Sequence, residues 1–161
     1  MKTRNIAAAV LGLALALGLA APAALAQTAA AVAGAGAAAL PTGSAYSGVP
    51  LTGLRFAIGV DISSGTATGD FQATLLGTVA GQARNIVVEG KAALGSLPAA
   101  NTATFSGVST VNMGDGTPAL VAVPFVVTVV STPDGKGTLA LSLATTSLPA
   151  GTVNAGGFSI K

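Results

Sequence analysis

The stretch that decides the fold runs from Ala103 to Val130 and reads ATFSGVSTVNMGDGTPALVAVPFVVTVV. Its first arm, 103–113, is rich in threonine and alternates loosely between polar and apolar residues. Its second arm, 119–130, is the most apolar run outside the N-terminal segment. Between the arms lie two glycines, which tolerate positive φ, and a proline, whose φ is fixed. The pattern predicts one long β-hairpin, and its β-branched second arm predicts a strand covered on both faces.

Alternating apolar residues and glycine-rich turns on both sides of this hairpin predict further strands. The side chains expected to point inward are Leu54, Phe56, Ile58, Val60, Ile62, Phe71, Ala73, Leu75, Ile86, Val88, Leu139, Leu141, Leu143, Phe158 and Ile160. Residues 91–97 fit either a short strand or a loop. The chain is therefore expected to be all-β, an antiparallel β-sandwich (or a small closed barrel) of seven to eight strands.

Pro124 conflicts with this pattern, because it lies in the middle of the most apolar predicted strand. Proline cannot donate a ladder hydrogen bond, so it is confined to sheet edges and bulges. We expect Pro124 to mark one or the other.

The five phenylalanines are spaced about one per predicted strand, each on a face expected to point inward. They are Phe56, Phe71, Phe105, Phe125 and Phe158. We expect all five in the core. Since no aromatic girdle is left over for a membrane interface, no membrane insertion is expected after signal cleavage.

The first 26 residues have the parts of a secretory signal peptide. Lys2 and Arg4 are a short positive region, Ile6–Ala21 is apolar, Pro22 breaks the helix, and Ala24-Leu-Ala26 is a small-residue cleavage site. An uncleaved membrane anchor is the alternative, since the apolar stretch could just span a bilayer. The segment predicts export from a bacterial cell, with the protein secreted or in the cell envelope.

Residues 27–53 are rich in alanine, glycine and proline and carry no charge. Without a sustained period, they predict a flexible linker. The folded domain, a β-sandwich, is then expected to cover 54–161.

The formal net charge of +2 depends on Lys2 and Arg4, because removing them leaves five basic against five acidic residues. The expected mature chain is thus neutral and sparsely charged. It offers no basic patch for phosphates and no aromatic platform for bases, so nucleic acid is not expected as a partner.

The chain contains no histidine and no cysteine. Ser-His-Asp triads, Cys-His pairs and His-ligated zinc sites are therefore excluded. Asp61 and Asp70 flank the first turn and could form a glycosidase-type carboxylate pair, but solubilising residues at strand ends explain them more simply. Asp115 and Asp134 each precede a glycine, which is the chemistry of tight turns. We therefore expect no catalytic, cofactor-binding or metal-ligating residues, no cofactor, and no enzymatic activity.

Four short motifs occur in the order Phe56-Ala-Ile-Gly-Val60, Gly69-Asp-Phe71, Ala103-Thr-Phe-Ser-Gly107 and Gly156-Gly-Phe-Ser-Ile160. In these motifs, residues 54–161 resemble small secreted bacterial β-domains that are themselves largely uncharacterised. The resemblance implies a β fold and export, and it carries over no functional residue.

Two functions are compatible with these features. The first is a non-enzymatic exported domain with a structural or protein-interaction role, binding other cell-surface proteins or itself, because weakly charged β surfaces of small residues associate readily. The second is a carrier that holds a small apolar ligand between its sheets, which requires an enclosed apolar cavity.

Overall fold

The computed structural model describes residues 29–161, and the predicted signal peptide lies outside them. These residues are all-β and form an antiparallel sheet of ten strands. The strands are β1 (Ala29–Ala39), β2 (Ala45–Tyr46), β3 (Val49–Ser63), β4 (Thr66–Val79), β5 (Gln82–Ala99), β6 (Thr102–Asn112), β7 (Leu120–Ser131), β8 (Gly137–Leu143), β9 (Thr146–Ser147) and β10 (Gly151–Ile160).

Three successive hairpins are closed by two-residue turns that end in glycine. Ser47-Gly48, Ser64-Gly65 and Ala80-Gly81 all have positive φ at both positions. Two consecutive positive φ values define the type I′ turn, whose twist matches that of the strands it joins and whose second position favours glycine. These turns set the register of β2 through β5.

The strand order is β1-β10-β8-β7-β6-β5-β4-β3-β2, with β9 paired to β8. In addition, β1 pairs with β3 over its full length, from Ala29↔Ser63 to Ala39↔Gly53. Because β1 also pairs with β10, the hydrogen-bonded order returns to its starting strand. The thinnest junction is between β8 and β10, which share two residue pairs.

The expectation of a flexible linker at 27–53 is wrong for its described part. Residues 29–39 form β1, and β3 begins at Val49, five residues before the expected domain start. Within β1, Val32 is completely buried. A Cβ at Gly34 would come within 2.3 Å of the Gly157 carbonyl oxygen. The small residues therefore reflect close packing between two neighbouring strands rather than flexibility.

Tyr46, which falls within the predicted linker, also belongs to the fold. Its side chain is buried with the core cluster, and this burial raises the pKa of its phenol above the ordinary value. Residues 91–97, which fitted a strand or a loop, lie inside β5.

The predicted long hairpin is confirmed as β6 and β7, which pair from Thr102↔Val130 to Val111↔Leu120. The expectation that its second arm is covered on both faces is wrong. Phe125, Val127 and Val129 are buried, whereas Val126 is 42% exposed and Val121 is 75% exposed. The arm alternates like a half-buried strand, and apart from Thr128 its outward side chains are apolar.

Pro124 lies directly beside a bulge, one of the two positions expected for it. The β6–β7 register shifts between Ser109 and Val111, and Ala122 within the shifted segment has a φ of 54°. On the other side of β7, pairing with β8 begins only at Phe125. The missing N–H of Pro124 therefore costs no ladder bond to β8.

The inward-facing residues predicted from the alternation form one core, with Ile160 partly buried against it. All five phenylalanines are buried, as predicted. Phe71 stacks on Phe125 with 5.6 Å between ring centroids, and Phe105 meets both rings edge-on at 6.0 and 6.3 Å. Such offset and edge-to-face contacts are the favourable arrangements for aromatic rings. Phe56 and Phe158 form a separate edge-to-face pair.

Along residues 29–161, no helix has the length and apolar character needed to cross a membrane.

Candidate functional site

An open groove of about 600 Å³ lies on the outward face of β4, β5 and β6. Its charged lining, with Gln72 and Thr110, comes from alternate, outward positions of these strands, and the bulge of β7 borders it at Ala122. The residues that line it are Asp70, Phe71, Gln72, Glu89, Gly90, Lys91, Val108, Ser109, Thr110 and Ala122.

The register explains why these side chains converge. Asp70 pairs with Lys91, and Lys91 in turn pairs with Val108, so the three lie in one row across β4, β5 and β6. Glu89 lies in the adjacent row, between Gln72 and Thr110. Directly opposite residues in an antiparallel sheet have neighbouring Cβ atoms, so each row is continuous.

An ion pair neutralises one side of the groove. Lys91 Nζ donates to Asp70 Oδ1 at 2.6 Å, and both side chains are largely exposed. An exposed pair of this kind adds little stability. The pair does affect the charge of the groove, because it neutralises Asp70. Glu89 is then the carboxylate of the groove that has no ion-pair partner within residues 29–161.

The loop between β6 and β7 is held against β5 beyond the end of the groove. Arg84 Nε donates to the Met113 carbonyl at 3.2 Å, and the Arg84 guanidinium forms an ion pair with Asp115. Asp115 also accepts bonds from the hydroxyl and the backbone N–H of Thr117. These bonds fix the loop that leads into the bulge at Ala122.

Next to the groove lies an apolar patch, which we define as Leu94, Val108 and Val126. Their side chains are 61%, 56% and 42% exposed. Leu94 and Val126 share a row through Ser106, and Val108 lies two residues further along β6. Single exposed apolar residues are normal, but adjacent ones on one face are typical of an interaction surface.

Asp61 and Asp70, for which strand-end solubilising roles were preferred over a carboxylate pair, lie on an open surface. Asp61 pairs with Thr68, and Asp70 pairs with Gly59, so the two are diagonal neighbours on the outward face of β3 and β4. Both are exposed, and Asp70 is held by Lys91.

The other two aspartates are turn residues, as the sequence indicated. Asp134 accepts a bond from the Thr132 hydroxyl at 2.5 Å and one from the Lys136 N–H at 3.3 Å. These bonds favour the ionised form and hold the pKa of Asp134 below its ordinary value. The hydroxyl and N–H of Thr117, together with Arg84, lower the pKa of Asp115.

The lowered pKa of Asp134 predicts a pH dependence of stability. A carboxyl whose folded pKa lies below its unfolded value stabilises the fold above the ordinary pKa of 3.8 and loses this contribution as pH falls through the folded value. We expect Asp134→Ala to lower the melting temperature at pH 7 and to have a smaller effect at pH 2. Thermal melts from pH 7 to pH 2 measure the difference.

Asp61→Ala is the control, because the Asp61 carboxylate is exposed and accepts no hydrogen bond from residues 29–161. It should leave the melting temperature nearly unchanged at every pH. A constant difference between wild type and Asp134→Ala from pH 7 to pH 2 would contradict the assigned bonds.

No group of three or more acidic side chains close enough to hold a metal ion occurs between residues 29 and 161. The centre of the fold, where the carrier hypothesis requires space, is occupied by the rings of Phe71, Phe105 and Phe125. Gly90 lies directly beneath the Phe125 ring, where a Cβ would come within 2.6 Å.

Comparison with known proteins found no family model, no curated protein and no solved structure that matches the chain. The resemblance to secreted bacterial β-domains therefore has no support from these comparisons.

Sequence reasoning did not identify the groove or the apolar patch. Asp70, Lys91 and Val108 come from three strands, and only the register brings them together. One signal was present in the sequence. Side chains alternate along a strand, so Val126 points outward if its neighbours Phe125 and Val127 point inward.

Proposed function

We propose that this protein is exported and acts outside the cytoplasm as a non-enzymatic β-domain with a structural or protein-interaction role. The observation that carries the proposal is the apolar patch beside the groove, on the outward face of β5, β6 and β7. A domain that has filled its core with its own aromatic rings has no need of these three apolar side chains for folding. They are available for a partner.

The low charge of the surface supports the same role. Residues 29–161 carry five basic and five acidic side chains, and two of each are already joined in ion pairs. Net charge keeps proteins apart, and a chain without it associates more readily. Export is supported by the predicted signal peptide at 1–26, and that segment lies outside the described residues.

The finer architecture is also a proposal. We propose a small closed barrel rather than a two-layered sandwich, and the support is that β1 pairs with both β3 and β10. The two residue pairs between β8 and β10 are its weakest junction.

The carrier alternative has less support. An apolar ligand between the sheets would have to displace the packed phenylalanine rings from the centre. The groove is open and lined in part by charged residues, which does not suit a wholly apolar ligand.

Site-specific photo-crosslinking in intact cells tests the proposal. A photoreactive residue is placed at Leu94 in the apolar patch or, as the control, at the exposed Thr152 of β10. We expect both proteins in the envelope or the medium, with discrete protein adducts from position 94 and none from position 152. Retention of the protein in the cytoplasm, or the absence of adducts from position 94, would overturn the proposal.

A further inference from the structure

We infer that the outward face of β5 is an isologous interface with a second copy of this chain, in which the two β5 strands pack face to face and antiparallel. The inference deepens the proposed function, on which it rests, by naming the partner. It is carried by the order of the outward side chains along β5.

The central outward positions of β5 are, in order, Val87, Glu89, Lys91 and Leu94, and the exposed polar residues Asn85 and Ser96 flank them. Leu94 rather than residue 93 follows Lys91 in this series, because a bulge lies between Ala92 and Leu94 in the β5–β6 register. The sequence of properties along β5 is apolar, negative, positive, apolar. Lys91 also pairs with Asp70 of β4, so Glu89 of a second copy would share the Lys91 ammonium with that carboxylate. Both apolar members are exposed, at 38% and 61%.

This series is complementary to itself when it is reversed. A two-fold axis in the plane of the interface, crossing β5 between Glu89 and Lys91, brings Glu89 of each copy opposite Lys91 of the other. The same axis brings Val87 opposite Leu94. An isologous interface requires such self-complementarity, and opposite charges across it favour one register over others.

Edge-to-edge association is less favourable. The exposed start of β7 is interrupted by the bulge at Ala122 and by Pro124, which has no N–H to donate. Bulges and prolines are the devices that protect sheet edges from pairing with another chain. Since β1 pairs with both β3 and β10, few strand edges are left without a partner. The face of β5 is therefore the better surface for a second copy.

The charge state of the chain also permits self-association. Residues 29–161 have no net charge, so two copies do not repel each other at long range. A closed two-fold interface stops at two copies, and we expect a monomer–dimer equilibrium without larger species.

Charge reversal tests the inference. The protein is expressed from the full sequence, purified in the form to which the cell processes it, and studied by sedimentation velocity over a concentration series. All charge variants carry Asp70→Asn, because Asp70 is the internal partner of Lys91. In that background, Glu89→Lys or Lys91→Glu alone should raise the dimer dissociation constant at least about tenfold, since each single change turns two attractions into two repulsions. The double reversal should restore it to within about threefold of the background.

Leu94→Glu should abolish the dimer, whereas Thr152→Glu should not affect it. Position 152 is exposed on β10, four strands from β5 in either direction along the sheet. Circular dichroism and melting temperatures establish that each variant is folded, which is expected because every substituted side chain points outward.

A wild-type protein that stays monomeric at high concentration, or a double reversal that dimerises no better than the single ones, would overturn the inference. If the protein is monomeric but the crosslinker at position 94 still forms adducts with other proteins in cells, the dimer is refuted and the proposed function stands. If the protein dimerises but the crosslinker forms no adducts with other proteins, an interaction with other cell-surface proteins is contradicted and the dimer stands.

Discussion

Phe125→Ala should destabilise the fold by about 3–5 kcal/mol, the usual cost of removing a buried phenylalanine. The ring is 1% exposed, stacks on Phe71 and meets Phe105 edge-on. Its removal leaves a cavity against two other rings, and it exposes the space above Gly90 that the ring fills. The neighbouring strands are continuously hydrogen-bonded and cannot collapse into that space without losing register. Urea unfolding curves of wild type and variant measure the loss.

Val126→Ala is the matched control for Phe125→Ala. Val126 is the next residue on the same strand, but its side chain is outward and 42% exposed. We expect a loss of less than about 1 kcal/mol, as for most surface substitutions. Equal losses for the two variants would show that Phe125 is not the buried centre described above.

Gly107→Ala should destabilise the fold by about 1–3 kcal/mol or more, although it adds a single methyl group. A Cβ at position 107 would lie 1.9 Å from the Lys91 carbonyl oxygen. That oxygen belongs to the backbone of β5 at the bulge between Ala92 and Leu94, so no side chain can move aside to make room. The strands β5 and β6 would have to separate locally. Urea unfolding measures this loss as well.

Gly59→Ala is the control for Gly107→Ala, because it makes the same chemical change inside a strand without the clash. A Cβ at Gly59 meets nothing within 4 Å. Replacing it should be neutral or stabilise the protein by up to about 1 kcal/mol, through the entropy of the unfolded chain. If both alanine variants were equally stable, the close approach at Gly107 would be refuted.

The inward face of the fold was predictable from the sequence, because burial follows the period of two along each strand. Leu54, Phe56 and Ile58 are buried as predicted, and so are the inward residues of β8. The turns near Gly65 and Gly81 were also predictable, since positive φ at two successive positions favours specific residues such as glycine, whereas the Ser47-Gly48 turn fell in the predicted linker.

The strand β1 was not predictable from the sequence, because it lacks the usual strand composition. Alanine and glycine are depleted in strands, and a run such as 29–39 has weak intrinsic preference for any structure. Its position is determined by two long-range pairings, with β3 and β10, and by the absence of side chains at Gly34 and Gly36. Tertiary packing outweighs local propensity here.

The outer face was only partly predictable. The valines of β7 suggested burial on both sides, and hydrophobicity alone cannot distinguish a covered strand from one that presents apolar side chains to solvent. The groove depends on registers that include bulges, and a shift of one residue moves a side chain to the opposite face. Leu94 is outward because of such a shift.

The position of β1 between β3 and β10 has a kinetic consequence. The pairing of β1 with β3 joins segments that are close in the sequence. The pairing of β1 with β10 joins residues that are far apart in the sequence, such as Val32 and Ile160. Contacts at such separation form slowly, because a large loop must close before they contribute any stability. Before β10 is in place, β1 can pair with β3, but the side of β1 that faces β10 stays unpaired. Completion of the sheet should therefore be the slow, late step of folding.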